Sequence, residues 1–349
     1  MNFSYSFFTL NMNSPFITHK ATHLKVPHVL INIFLNKIIG YGQTVILPYY
    51  FYNLDEMNNI FKSLEKLKIF FSKIQKEKIK DLNEVLNRIR IIKSINLNIY
   101  SAVEMALLDL FSKMNQKYLH EFLSIEKREE LITSMTLGIK SIDLLKIDLD
   151  KYKNWPVLKI KMSNNLKDNY YKVKFIFENY KGKIRIDANG SWSISEAKDM
   201  FKFLENYNIE FIEQPLAADS FRNLAELKQS TKIPIILDED CKSIKDIKKI
   251  SNYADGINIQ AYKSGGILNL IEMFKEAKRF NLKTMIGCQA ESSLGISALS
   301  HIASLADFID LDGHLDFIDD KYYGVSIENG KITLPENYGI GVKINERQL

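Results

Sequence analysis

Cysteine is scarce: the 349-residue chain holds two, Cys241 and Cys288, far apart in sequence. That excludes a disulfide-stapled scaffold and fits a reducing cytoplasm, the expected location. Long apolar runs are missing too. None reaches the roughly 18 residues of a membrane-spanning helix, so no membrane partner is expected. Residues 1–18 carry no charged side chain, but Asn11, Asn13 and Ser14 interrupt them and no basic segment precedes them. This pattern argues against a cleaved signal. Also absent is a basic run interleaved with aromatics. The 47 Lys and Arg are scattered among 42 Asp and Glu, as in 62–80, and leave a net charge of +5. Such charges read as solvated helix faces, and nucleic acid is not an expected partner.

What the chain does contain is a regular series of short apolar runs, each closed by polar residues. They are Leu158-Lys159-Ile160-Lys161, Ile186-Asp187-Ala188-Asn189-Gly190, Phe211-Ile212-Glu213-Gln214-Pro215, Ile236-Leu237-Asp238-Glu239-Asp240 and Ala261-Tyr262-Lys263-Ser264-Gly265-Gly266. From Lys161 through Asp187, Glu213 and Asp238 to Lys263 the steps are 26, 26, 25 and 25 residues. Segments of helical period lie between the runs. Strands alternating with helices imply a parallel sheet, and eight such units make a barrel with its chemistry at the strand C-termini.

The expected barrel strands are 133–139, 157–161, 184–187, 210–213, 233–238, 256–260, 283–287 and 308–312. The link between the first two carries a weak helical signal. Before them come expected strands at 3–10, 29–35 and 39–45, with a loop from 13 to about 25. Helices follow at 54–74, 80–92 and 99–113. Gly40 and Gly42 mark a close approach of backbone or ligand. Three strands followed by helices is an α+β pattern, so the expected organisation is an α+β domain at 1–130 and a barrel at 131–320. Short strands at 322–327 and 331–334 flank an Asn329-Gly330 hairpin turn, and 321–349 is expected to pack back on the first domain. The hydrophobic fraction of 46% and a length beyond the about 250 residues of a bare barrel allow this.

In this register Asp187, Glu213 and Asp238 close three consecutive strands. Three anions at one mouth repel unless a cation sits among them, and all-oxygen ligands suit Mg²⁺. Lys159 and Lys161, at i and i+2, point to one side of their strand. Lys263 follows the sixth strand, four units around the barrel from the second, and so faces Lys161 across the mouth. Two bases on opposite sides of a metal are what stereochemical inversion needs: one removes a proton and the other returns it to the opposite face. Proton removal beside a carboxylate makes an enediolate of high energy. A turnover of order 10 s⁻¹ allows a barrier of about 16 kcal/mol, and one hydrogen bond to charge supplies only about 1.5–3 kcal/mol. A divalent ion aided by Lys159 stabilises that charge, and neighbouring cations are expected to hold the lysine pKa values down.

Together these segments resemble the enolase superfamily, muconate-lactonizing subgroup, over nearly the whole chain. A lysine base working with Mg²⁺ is that superfamily's chemistry. The resemblance implies a modified (β/α)7β barrel, with Pro15-Phe16, Gly40-Tyr41-Gly42-Gln43 and Ser101–Leu110 in a capping domain. Within the subgroup the chain is similar to dipeptide epimerases of the L-Ala-D/L-Glu type. Thr133-Ser134-Met135-Thr136 resembles their first strand, where the last Thr touches substrate. Gly287 to Ser292, with Cys288, resembles the segment after their seventh. Asp310-Leu311-Asp312 resembles the Asp-x-Asp that binds the dipeptide ammonium, and i, i+2 aspartates at a strand end do face one side.

The resemblance implies Lys161 and Lys263 as acid/base catalysts with Lys159 assisting. It implies Asp187, Glu213 and Asp238 as ligands, and Asn189 and Glu239 as their supports. Thr136, Lys159, Cys288, Asp310, Asp312 and Lys20 are the implied substrate contacts. Departures from the pattern are Gln43, Asp240 and Gln260. The capping-loop Arg that holds a substrate glutamate matches Ala21 here, with Lys20 beside it. The implied function is Mg²⁺-dependent inversion of the α-carbon of a dipeptide's C-terminal residue. An o-succinylbenzoate synthase-type lyase and a silent binding barrel are the alternatives. Asp310 and Asp312 disfavour the lyase, which has no ammonium to bind, and the full lysine and carboxylate set disfavours the binding barrel. Homo-oligomerisation stays open.

Overall fold

The computed structural model describes residues 1–46, 53–74, 79 and 81–345. Strands β1 (Asn2–Ile17), β2 (Thr22–Leu35) and β3 (Ile38–Val45) form an antiparallel sheet in the order β1-β2-β3. Helices α1 (Leu54–Ile74), α2 (Leu82–Arg90), α3 (Leu97–Met114) and α4 (Leu119–Phe122) follow. The loop expected from 13 to about 25 is instead the end of β1, a tight turn and the start of β2. Pairing resumes at Phe16↔His23 after a register shift beyond Asn11. Polar residues there mimic a loop, but a strand edge exposed to water needs no apolar alternation. Lys80, where a helix was expected to begin, lies outside the described residues.

The glycines of β3 are explained by α3. A Cβ on Gly40 would lie 2.1 Å from the Ala106 carbonyl oxygen, and one on Gly42 2.0 Å from that of Ala102. Only glycine lets the helix backbone lie directly on the strand. α3 is buried along nearly its whole circumference, as a helix covered on all sides must be.

The barrel strands are β4 (Met135–Leu137), β5 (Val157–Lys161), β6 (Lys183–Asp187), β7 (Ile209–Glu213), β8 (Ile235–Leu237), β9 (Gly256–Ile259), β10 (Lys283–Gly287) and β11 (Phe308–Asp310). They run parallel in sequence order. A parallel bridge between Thr133 and Ile309 joins the last strand to the first. The crossovers are α5 (Ile142–Lys151), α6 (Leu166–Asn179), α7 (Ile194–Leu204), α8 (Phe221–Gln229), α9 (Ile244–Ile250), α10 (Ala261–Ser264) with α11 (Ile267–Arg279), and α12 (Ser293–Ser300). Eight strands and seven crossovers make a (β/α)7β barrel. α5 stands where the sequence carried little helical signal. Only Leu145 and Leu149 of it are buried, so its apolar stripe is too narrow to register as a period. The α7 start is a capping box, with Ser193 and Glu196 serving each other's backbone amides.

Alternation along each strand sorts the barrel interior into layers. Outward residues such as Leu158, Ile160, Ile186 and Ile212 join the main core. At the lower level Phe211, Ile236 and Met285 form a separate apolar cluster against Phe308. The Arg185 guanidinium lies 5.3 Å from the Phe211 ring and 5.2 Å from that of Phe308. This plug closes the lumen from below, and polar residues one step up each strand face the opposite mouth.

The C-terminal segment packs back on α3 and the start of α4. Tyr322–Tyr323 pairs with Lys343–Ile344, and Ser326–Glu328 with Lys331–Thr333 through Asn329 (φ 46°) and Gly330 (φ 81°). The Ile340 amide donates to buried Asp109 of α3 at 2.8 Å, and Tyr118 bridges Gly339. Among the described residues no helix is long and apolar enough to cross a membrane.

Candidate active site

One cavity of about 910 Å³ opens at the strand C-termini, between the barrel and the N-terminal sheet. Lys159, Lys161, Asp187, Asp238, Lys263, Asp310 and Asp312 all line it, as do Thr136, Asn189, Glu239, Cys288 and Lys20. The strand register explains the gathering. Lys161 pairs with Asp187 and Asp187 with Glu213, while Asp238 stands just past β8. Asp310 ends β11 beside Gly287.

Lys159 is 3% exposed and lies among three carboxylates. Its Nζ is 2.7 Å from Glu213 Oε2, 2.8 Å from Asp310 Oδ2 and 3.1 Å from Asp187 Oδ2. Lys161 donates to Asp187 Oδ2 at 2.6 Å and to Asn189 Oδ1 at 3.1 Å. Across the mouth, Lys263 donates to the Asp238 carboxylate, to the Asp238 carbonyl at 2.6 Å and to that of Asn258 at 3.2 Å. It sits on the one-turn helix α10. Strand order puts Lys161 and Lys263 on opposite sides, four strands apart in the closed ring of eight.

The expected depression of the lysine pKa values is not what these contacts produce. Burial lowers all three, but the carboxylates outweigh it: Asp310, Glu213 and Asp187 for Lys159, Asp187 for Lys161, and Asp238 for Lys263. All three end above the ordinary lysine value. Burial also raises Asp187, yet Lys161 and Lys159 hold it below the usual carboxylate range. Glu213 goes the other way. Burial and then the Asp187 charge push it up to about 8, against the pull of Lys159. Its ionised form is therefore costly here, because Lys159 does not outweigh burial and the Asp187 charge.

The other segments hold these groups in place. Asn189, in the left-handed region at φ 46°, donates its amide to Asp187 Oδ1 at 2.9 Å. Gln214 accepts from the Asp238 and Glu239 amides at 2.9 and 3.0 Å and donates to Asp240 Oδ2 at 2.7 Å. Asp240, one of the departures, is thus a turn-former, and its Oδ1 takes the Asp219 amide at 2.7 Å. Gln260, another, donates to both Asp238 oxygens at 2.9 and 2.8 Å. Gln43 accepts from Ser292 at 2.6 Å. Asn258 went unremarked in the sequence, yet its Nδ2 donates to Glu213 Oε1 at 2.7 Å. Its signal was present: Asn258 and Gln260 alternate with isoleucines as Lys159 and Lys161 do.

Asp310 and Asp312 face the cavity together but are not equivalent. Asp310 is engaged by Lys159, by Ser134 Oγ at 2.6 Å and by Thr136 Oγ1 at 3.2 Å. Asp312 takes the Thr136 amide at 2.5 Å, and burial followed by the Asp310 charge pushes it up to about 7. Lys20 is tied to Glu239 by an ion pair from the 18–21 turn to the barrel. Among the described residues no three His, Cys, Asp or Glu side chains already form a metal cage. Ammonium and amide donors occupy the carboxylates instead.

A family described as enolase C-terminal domain-like matches residues 148–348. An L-Ala-D/L-amino acid epimerase of Maribacter sp. is 29% identical over 347 residues, covering 99% of this chain and all of that protein. A hydrophobic dipeptide epimerase of Roseobacter litoralis is 36% identical over 242 residues, 67% of this chain and 70% of the relative. Among solved structures, a dipeptide epimerase from Cytophaga hutchinsonii complexed with Mg and D-Ala-L-Val superposes with a TM-score of 0.86. It is 24% identical and covers 99% of this chain and 97% of its own.

Proposed function

The chain belongs to the enolase C-terminal domain-like family, and on that premise we propose that it is a Mg²⁺-dependent dipeptide epimerase. The observation that carries the reading is the pair of lysines on opposite sides of one carboxylate-lined mouth. The cavity of about 910 Å³ suits a molecule larger than one amino acid. The curated relatives are epimerases of L-Ala-D/L-amino acids and of hydrophobic dipeptides.

Asp187, Glu213 and Asp238 would hold the metal. Their all-oxygen donor set on neighbouring strand ends fits a hard divalent cation, and such an ion would favour the ionised form of Glu213 that burial and Asp187 disfavour. When bound, the ion polarises the substrate carboxylate and takes over the carboxylates that otherwise hold the lysines charged. The chain's own groups do the rest. Lys159 donates to the carboxylate as charge develops there. A neutral Lys161 or Lys263 removes the α-proton, and the opposite lysine, as ammonium, returns one to the other face. Asp312, braced by Thr136, receives the dipeptide ammonium, with Asp310 behind it. Asn189 and Glu239 hold their neighbours in place, while Cys288 and Lys20 bound the space for side chains. With its two cysteines free, the protein suits a reducing cytoplasm.

The test is α-proton exchange. In D₂O with Mg²⁺, a dipeptide panel should show deuterium at the C-terminal α-carbon and interconversion of its epimers. No exchange with any dipeptide, together with o-succinylbenzoate formation from its hydroxylated precursor, would favour the lyase instead.

A further inference from the structure

The loop carrying Lys263 is gripped from outside the barrel. α3 supplies Glu104, which is 1% exposed and takes no part in the chemistry above. The Leu268 amide, in the first turn of α11, donates to Glu104 Oε2 at 3.0 Å. Burial pushes this carboxyl up to about 7, against the pull of the Leu268 amide and the Arg90 guanidinium. A buried carboxyl is costly unless it is well partnered, so its place on this helix calls for a reason.

The geometry supplies one. Gly265 and Gly266, between α10 and α11, have φ of 79° and 109°. A Cβ on Gly266 would lie 2.2 Å from Glu104 Oε2, so glycine is what lets the carboxylate come down on the turn. The amides of both glycines donate to the Ala261 carbonyl at 3.1 Å and close α10, whose third residue is Lys263. Asn269 Nδ2 donates to the Ser264 carbonyl at 3.0 Å. Lys161 needs no such support. It is the last residue of β5 and stands in the β5–β6 ladder opposite Asp187. One lysine is placed by a sheet, and the other by a short helix pinned between β9 and Glu104.

We propose that Glu104 is a positioning residue for Lys263, anchoring the 261–268 turn to α3 and thereby fixing the reach of Lys263 to one face of the substrate α-carbon. The proposal rests on the two-lysine reading above. It makes the N-terminal helix layer a partner in catalysis on that face alone.

The experiment measures deuterium incorporation with retention into each epimer separately, using the Mg²⁺-loaded protein and a dipeptide it turns over. Each epimer presents its α-proton to one lysine. Because displacement of about 1 Å can cost on the order of 100-fold, Glu104→Ala should slow exchange from the Lys263-facing epimer by about 10- to 100-fold. Exchange from the Lys161-facing epimer should stay near the parental rate. Glu104→Gln, which keeps an oxygen for the Leu268 amide, should restore most of the loss. Gly266→Ala pushes on the same contact from the other side and should give the same one-sided loss if Glu104→Ala does not fold. In parallel, pulsed reductive methylation read by peptide mass spectrometry should show Lys263 labelled faster relative to Lys161 in either variant. Equal slowing of both faces with an unchanged labelling ratio would overturn the proposal, and so would parental exchange on both. If the parent exchanges no dipeptide, the epimerase reading fails by itself and the labelling ratio alone decides the role of Glu104.

Discussion

Lys159 offers the sharpest test of the site's electrostatics, because its removal separates stability from turnover. Its ammonium touches Glu213, Asp310 and Asp187 within 3.1 Å and is almost fully buried. Lys159→Met keeps much of the side-chain volume and removes the charge. Breaking a buried pair by deleting one partner typically costs about 3–5 kcal/mol, because the other charge is left uncompensated. Three partners lose their cation here, which argues for the upper half of that range. At about 2.1 cal/mol/K per residue, a chain of this length has an unfolding entropy near 0.7 kcal/mol/K, so Tm should fall by about 5–7 °C. The measurement is thermal unfolding in EDTA, followed by titration with Mg²⁺. Magnesium should raise the Tm of the variant more than that of the parent, since the ion no longer competes with an ammonium for the same oxygens. At 100 times its Kd the ion alone stabilises by about 2.7 kcal/mol. A variant as stable as the parent in EDTA, with an identical response to Mg²⁺, would refute this account of the cluster.

Three further outcomes are expected. Asp238→Asn should abolish Mg²⁺-dependent turnover while circular dichroism shows the fold retained, and full activity of that variant in EDTA would remove Asp238 from the metal site. Losing a charged partner in a desolvated site costs about 2–5 kcal/mol, so Asp312→Asn should lower kcat/KM by about 30- to several-thousand-fold. N-acetylation of the dipeptide should do similar harm to the parent and little more to the variant, whereas equal parental turnover of acetylated and free dipeptides would rule out the ammonium contact. His301 gives a pH signature away from the site. Burial pushes it down to about 3, and its Nε2 faces the Ile340 carbonyl at 3.2 Å. The unfolded chain then binds a proton that the folded one refuses, so stability is lost as pH falls below about 6.5. The stability advantage of the parent over His301→Gln should shrink by about 3 kcal/mol between pH 6.5 and pH 4, and an advantage that stays constant with pH would show that His301 titrates normally.

The sequence by itself determined the barrel and the identity of its mouth. Repeats near 25 residues leave little choice of topology, and polar residues closing apolar runs must lie at strand ends, so the sequence alone gathers Lys161, Asp187, Glu213 and Asp238 at one mouth. Alternation within Lys159-Ile160-Lys161 settled which way the lysines point, because a strand has a period of two. Other features were beyond its reach. The β1–β2 turn was hidden because an edge strand tolerates polar residues, and α5 because two buried leucines make no period. Whether Asp310 serves the substrate or the protein depended on Lys159, 151 residues away, lying 2.8 Å from it. The protonation balance of the lysines also required the tertiary structure: a pKa is set by the charges and burial around a group, and the carboxylates that raise these three come from strands far apart in the chain. Gly266 stands in the sequence only as the end of the segment after Lys263, and the descent of Glu104 onto it is what explains why no side chain fits there.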